Sequence, residues 1–381
     1  MKAGELAPRE QWSEMARKYR DTYARVPRRG FIQKTFGLWM CMDAWRADGF
    51  DVPDAELVDF FHFDPPGKCQ LGGLGWCEAA LCPPFPNIVL EDRGDTEIVQ
   101  DWAGRGVLYF KGRRSGFMPE YVTHPVTDMA SWERNVKWRM DYAAEGRLES
   151  LKQMRDAAEA VVPEGQMITQ GLIGGYMYLR SLIGPEALLY MFYDAPELIH
   201  DCMRTWLDLA DKVSAYFQET LTFDEVFFAE DICYNHGPLI SPDMIREFIF
   251  PYYRQLLKNI RARQLDKARA LYIQLDTDGD CRPVIELYRD EVGVTVFSPF
   301  EVASGCDVVA LGRQYPEIVL QGGFDKRILA AGKDAIDREV DRIFPVMHER
   351  GGYIPTCDHG VPAEVNWRDY VHFRKRCMEF R

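Results

Sequence analysis

The chain has 381 residues, 47% of them hydrophobic and 13% aromatic, with a formal net charge of −13 at pH 7. That excess of carboxylates argues against a nucleic-acid surface, which needs a basic stripe, and no apolar run reaches the ~18 to 20 residues of a membrane span. Ten scattered cysteines read as free thiols of a reducing compartment, and a charged Met1 to Arg20 segment without an apolar h-region points to the cytoplasm.

Residues 1–50 read as helical, because Trp12, Met15, Tyr19 and Tyr23 recur on one face at helical spacing and a second apolar segment follows at 39–45. They are expected to cap one end of the fold. Between Pro86 and Lys111 the pattern changes to Ile88-Val89-Leu90, Ile98-Val99 and Val107-Leu108-Tyr109-Phe110, separated by Arg93-Gly94-Asp95 and Ala103-Gly104-Arg105-Gly106. Short apolar runs between such turns predict an inserted antiparallel meander.

From Ser131 onward helices and strands alternate. Helices are expected over 132–141 and 148–162, then a strand over 167–173 that ends at Gly174-Gly175. An amphipathic helical region reaches Phe192, a long helix spans 196–220, and Val226-Phe227-Phe228 forms a strand that runs into Glu230-Asp231. Ser241-Pro242 is an N-cap serine followed by proline at the first helical position, so a helix starts there and runs to residue 263.

Four further apolar runs each end in a polar cluster. Gln274-Leu275 leads into Asp276-Thr277-Asp278-Gly279-Asp280, and Val294-Thr295-Val296-Phe297 into Ser298-Pro299-Phe300-Glu301. Ile318-Val319-Leu320 leads into Gly322-Gly323-Phe324-Asp325, and Gly352-Tyr353-Ile354 into Pro355-Thr356-Cys357-Asp358-His359. Such runs between helices read as buried parallel strands. The expected fold is therefore α/β: one (β/α)8 TIM-type barrel domain over 1–381, with residues 1–130 supplying the helical cap and the β meander and 131–381 the main barrel units. Barrels of this kind carry their active site at the carboxyl ends of the strands, where the carboxylates, the cysteine and the histidine recur. Neither a G-x-G-x-x-G fingerprint nor a phosphate-binding P-loop is present, so a nucleotide cofactor is not expected.

Read in order, four groups of residues resemble the uroporphyrinogen decarboxylase superfamily, and within it the branch of corrinoid-dependent methyltransferases and their relatives. They are Glu230-Asp231 with Ser241-Pro242; Asp276 to Asp280; Phe297 to Glu301 with Gly305 and Asp307; and Gly322 to Lys326 followed by Gly351-Gly352-Tyr353 and Asp358-His359. The resemblance covers residues 167–380 well and the first 130 loosely, and it too implies an (α/β)8 barrel. Decarboxylase members carry an N-terminal Arg-Gln-Ala-Gly-Arg-Tyr segment whose arginines pair with porphyrinogen carboxylates. Here the early segment is Val26-Pro27-Arg28-Arg29-Gly30-Phe31, and the loss of the motif demotes haem biosynthesis.

Methyltransferase members of the family hold zinc with a His-x-Cys pair after one strand and a Cys after the last. By strand position the resemblance places these metal ligands at Asp276, Asp278 and Cys357, with Glu230 or His359 as alternative donors. Two hard carboxylates then replace an imidazole and a thiolate, a donor set that open zinc sites accept and that favours an oxygen-bearing substrate. The implied function is a metal-dependent methyltransferase that demethylates a small methylated substrate, such as an aryl methyl ether, toward a corrinoid carried by a partner protein; a homodimer is left open. The second expectation is a decarboxylase or lyase acting on a small carboxylated substrate, with Asp278 or Asp231 as proton donor. A ligand-binding barrel without chemistry comes third, since it has no need of carboxylates, a thiol and a histidine at several strand ends.

The catalytic candidates are His359, whose unperturbed pKa of ~6.5 suits proton transfer, with Glu230 and Asp231. The substrate-binding candidates are Arg180, through its planar fork, Glu301 and Asp325. Each has a structural rival. Asp276 and Asp280 are equally read as caps or turn formers, Cys357 as a packed thiol, and Lys326 as the partner of a nearby carboxylate. Cys306 is a weaker ligand candidate at the expected start of a helix.

Overall fold

The computed structural model describes residues 4–114 and 119–381. Its strands in chain order are β1 (Lys68–Leu71), β2 (Ile88–Asp92), β3 (Thr96–Gln100), β4 (Gly106–Phe110), β5 (Glu120–Thr123), β6 (Met167–Ile173), β7 (Glu225–Ala229), β8 (Cys233–Tyr234), β9 (Gly237–Pro238), β10 (Tyr272–Asp276), β11 (Val296–Ser298), β12 (Val319–Gln321) and β13 (Tyr353–Ile354). Seven of them pair in parallel in the order β1-β6-β7-β10-β11-β12-β13, while β2 to β5 form a separate antiparallel sheet. The fold is thus the expected α/β barrel type with its meander. The meander has four strands rather than three, because Glu120–Thr123 returns beside β4.

Helices cross over between the parallel strands and bury their apolar faces on the sheet. The longest, Pro196–Gln218, lays Leu198, Cys202, Trp206, Leu209, Val213 and Phe217 inward at steps of three to four residues, the spacing of one helical face. Ser241 accepts from the amide of Met244 and starts the helix Pro242–Phe248 as expected. Residues 132–141 differ: a capping box at Asp128 opens a short turn that continues as the π-turn Trp132–Val136 and the 3-10 turn Lys137–Met140. Among the described residues no helix is long and apolar enough to cross a membrane.

Among the described residues up to 50, α-helix is confined to Glu14–Tyr23 and Met42–Ala47, apart from a short 3-10 turn. The first of these helices is capped by Ser13 and pushes Met15, Tyr19 and Tyr23 against Met167, Val296, Val319 and Ile354, closing the floor of the barrel. Residues 31–36 are not helical, since Pro27, Gly30 and Gly37 bracket too short a stretch for a helix. Their side chains alternate as in a strand. Phe31 packs on Phe344, Tyr353 and Phe380 outside the sheet, and Ile32 joins the floor. Gln33 turns outward to the carbonyl of Cys377, and Lys34 feels Lys68, Glu225 and Asp276 inside. Instead of a ladder, the backbone of Gln33 exchanges hydrogen bonds with Asp64, at 2.8 Å to its carboxylate and 2.8 Å from its amide. This segment, lying between β13 and β1, takes the place of an eighth stave.

Above the floor lies a polar layer. Glu225 accepts from Tyr23 Oη at 2.6 Å, Lys68 Nζ at 2.5 Å and Thr169 Oγ1 at 2.8 Å. Such a buried charge survives only when fully paired, and removing one partner costs about 3–5 kcal/mol.

Candidate active site

The polar clusters after β7, β10, β11 and β13 meet at the carboxyl end of the barrel. The amides of Glu230 and Asp231 both donate to the carbonyl of Asp276, at 2.9 and 3.2 Å, which ties the β7 loop to β10. Asp231 stands at φ 44°, in the left-handed region that costs a non-glycine residue of order 1–3 kcal/mol, and accepts a charged hydrogen bond from Arg180. Thr277 Oγ1 accepts from the amides of Ile232 and Cys233 at 3.1 Å each. The chain then turns at Gly279, φ 76°, where a Cβ would come within 2.5 Å of the Tyr234 backbone.

The Gly279 amide donates to Glu301 at 3.0 Å, and Lys326 Nζ approaches the other Glu301 oxygen at 3.3 Å. Asp358 accepts from the amides of Lys326 and Val302, at 3.0 Å each, fastening the β11 and β12 loops to the β13 loop. The next residue, His359, therefore reaches the mouth, with Nε2 3.7 Å from Asp278 Oδ2. Phe36 packs on the imidazole, ring centroids 5.1 Å apart.

This crowding of carboxylates sets the protonation of the mouth. Burial, then the charges of Asp231, Asp276 and Glu301, push Asp278 up to about 8. Its side chain remains 42% exposed, so its proton exchanges with the open mouth. Burial raises Asp276 to about 6 although the Ser298 hydroxyl donates to it. Burial and then Lys326 lower His359. Deeper in, burial and then the ammonium of Lys68 lower Lys34 to about 8. Among the described residues no hydrogen bond or ion pair ties down the Lys34 ammonium.

Of the residues singled out in the sequence, Asp231, Asp276, Asp278, Glu301, His359 and Arg180 come together here. Three do not. Cys357 pairs with Phe324 across the sheet, and period-two alternation from inward Ile354 sends its side chain outward, where burial and then Asp358, Cys377 and Cys41 push its thiol up. Glu230 is fully buried behind β7, accepting from the Tyr176 amide at 3.1 Å and from the Tyr253 hydroxyl, and burial raises it to about 7. Asp325 caps its own helix and pairs with Arg327.

The proposed metal donors Asp276, Asp278 and Cys357 thus do not form one set. Among the described residues no three His, Cys, Asp or Glu side chains converge closely enough to hold a metal ion. Sequence reasoning missed Lys34, hidden in a segment with no strand signature. It also missed Trp76, which stacks on Phe227 at 4.7 Å between ring centroids.

Comparison with known proteins agrees with this architecture. The family model described as uroporphyrinogen decarboxylase (URO-D) matches residues 114–380. The chain is 24% identical to uroporphyrinogen decarboxylase of Xanthomonas axonopodis pv. citri over 314 residues, 76% of this chain and 80% of that protein. It is 26% identical to uroporphyrinogen decarboxylase of Alcanivorax borkumensis over 186 residues, 46% of this chain but only 47% of that protein, so that match spans about half the relative's length. Among solved structures, a methyltransferase from Methanosarcina mazei superposes with a TM-score of 0.55 at 13% identity, covering 96% of this chain and 98% of that one, a likeness of fold.

Proposed function

Given that the chain belongs to the uroporphyrinogen decarboxylase family, we propose that it is an acid–base enzyme of the carboxy-lyase type, acting on a small carboxylated substrate. The observation that carries this reading is that Asp276 lies within electrostatic reach of both a proton-holding carboxyl at Asp278 in the mouth and an untethered ammonium at Lys34 beneath it. A substrate carboxylate has a cation to meet, since Arg180, Lys326 and Lys68 are already paired with Asp231, Glu301 and Glu225.

In the reaction Lys34 orients the substrate by its carboxylate, and Asp278 faces the carbon that bears it. The C–CO2 bond breaks with its electron pair left on that carbon, CO2 departs, and the Asp278 proton ends on the carbon. Water reprotonates Asp278 through the open mouth. Neutral His359 is placed to relay that proton. No cofactor is invoked as an electron sink, so the substrate must carry its own, a conjugated group next to the carboxylate. The Xanthomonas and Alcanivorax relatives, named as decarboxylases, support the reaction class. The missing arginine motif argues against their substrate.

Methyl transfer toward a corrinoid protein is the second reading. It is favoured by the Asp278–His359 approach of 3.7 Å, which offers two donors from different loops. The two readings part in one experiment: the purified chain and its Asp278→Asn variant are incubated with conjugated carboxylic acids, and CO2 release and bound metal are measured. Acid-dependent CO2 release that the variant loses, with no stoichiometric metal, supports the lyase. About one metal per chain and no CO2 release overturns it in favour of methyl transfer.

A further inference from the structure

Beside the carboxylate mouth the barrel rim opens into a cleft of about 470 Å³, within the roughly 300–1,000 Å³ range of small-molecule sites. Its lining includes Gly72 and Gly73 after β1 and Gly171 near the end of β6. Two tryptophans from different parts of the chain also line it. Trp76 comes from the loop after β1, and Trp102 from the turn between β3 and β4 of the inserted sheet. They are 46% and 48% exposed. Large aromatic surface left open to water beside a catalytic mouth marks a place where something apolar is received.

The loop that lines the cleft also borders the mouth. One face of Trp76 stacks on Phe227, interplanar angle 16°, and Phe227 is in register with Gln274 of β10, two residues before Asp276. The adjoining Cys77 lies within electrostatic reach of Asp231, Arg180 and Asp276. The acidic lining residue Glu78 pairs with Arg105 at 2.9 Å, a guanidinium it shares with Asp101. Gln70 supplies the remaining amide at the lip.

We propose that this cleft seats a flat aromatic ring of the substrate between Trp76 and Trp102, while the ring's carboxylate reaches into the mouth. The substrates are then aromatic or heteroaromatic acids, whose ring is also the conjugated group that the lyase chemistry requires. The proposal rests on reading the mouth as a site for a carboxylated substrate. The inserted antiparallel sheet, through Trp102, becomes a specificity element for a barrel to which it is otherwise an appendage.

The test is calorimetric binding of 2-naphthoate and of its saturated counterpart, decahydro-2-naphthoate, to the full chain and to Trp102→Leu, Trp102→Tyr and Asp278→Asn. The expected result is at least tenfold tighter binding of the aromatic acid. That preference falls below threefold in Trp102→Leu, returns in Trp102→Tyr, and is unchanged in Asp278→Asn. Equal binding of the two acids, no binding of 2-naphthoate, or a preference indifferent to Trp102→Leu overturns the ring site. Because binding is read without turnover, aromatic preference in a protein that never releases CO2 would refute the lyase reading and leave the ring site standing.

Discussion

Asp278 and His359 face each other across the mouth, Oδ2 to Nε2 3.7 Å, one delivered by the loop after β10 and the other by the loop after β13. Burial raises the carboxyl to about 8 and lowers the imidazole, so at neutral pH the pair is a protonated acid beside a neutral base. Activity that depends on the Asp278 proton is full below about pH 8 and falls as pH rises through that value. Asp278→Asn is expected to lower kcat by about 10²–10⁴-fold, the usual worth of a general acid, with KM nearly unchanged. A pH–rate profile for the wild type and single-point turnover for the variant check both.

The raised carboxyls also make stability depend on pH. Glu230, fully buried, and Asp276 hold their protons to about 7 and about 6 in the folded chain, against ~4.3 and ~3.9 when unfolded. The folded state therefore binds more protons between those values, and stability falls as pH rises across that window. Thermal unfolding should show Tm lower at pH 8 than at pH 5. Glu230→Gln, which keeps an acceptor for the Tyr176 amide, should flatten the slope and raise Tm at pH 8. A steeper slope in the variant would contradict the assignment.

Lys34 and Lys68 lie in the same barrel interior but differ in what they hold. Lys68 neutralises Glu225 at 2.5 Å, so Lys68→Met leaves a buried charge unpaired and is expected to cost about 3–5 kcal/mol in urea unfolding. Lys34 has no such tie, so Lys34→Met should leave stability equal or higher, because burying its ammonium without a partner is unfavourable. Its effect should appear in KM, about tenfold or more, with Lys34→Arg recovering part of the loss.

Much of the fold was legible because buried strands carry their own signature. All seven residues of β6 are buried, and the expected bounds coincide with the observed ones. β1 escaped because Lys68 faces the polar layer around Glu225, so Lys68-Cys69-Gln70-Leu71 has no apolar run. Lys34 escaped for a related reason: residues 31–36 alternate like a strand but bond to Asp64 rather than to a neighbouring strand. The carboxylates of the mouth were legible from their place at strand ends. Cys357 was misplaced because closeness in sequence to His359 outweighed its register with inward Ile354, three residues earlier, which a period of two puts on the opposite face.

That misplacement yields a sharp prediction. The Cys357 side chain packs outside the sheet near Cys377 and Cys41, only 2% exposed, and its thiol is held protonated by burial. A thiol in that state is neither nucleophile nor ligand; it is a small apolar filler. Cys357→Ala removes one heavy atom from a packed layer and should cost about 1 kcal/mol, read as a lower urea midpoint with unchanged slope. Turnover should stay within threefold of wild type, and metal content by plasma mass spectrometry should be the same in both proteins. If the variant instead loses a stoichiometric metal together with its activity, the barrel must rotate Cys357 inward in solution, and the zinc-bearing donor set expected from the sequence would be restored.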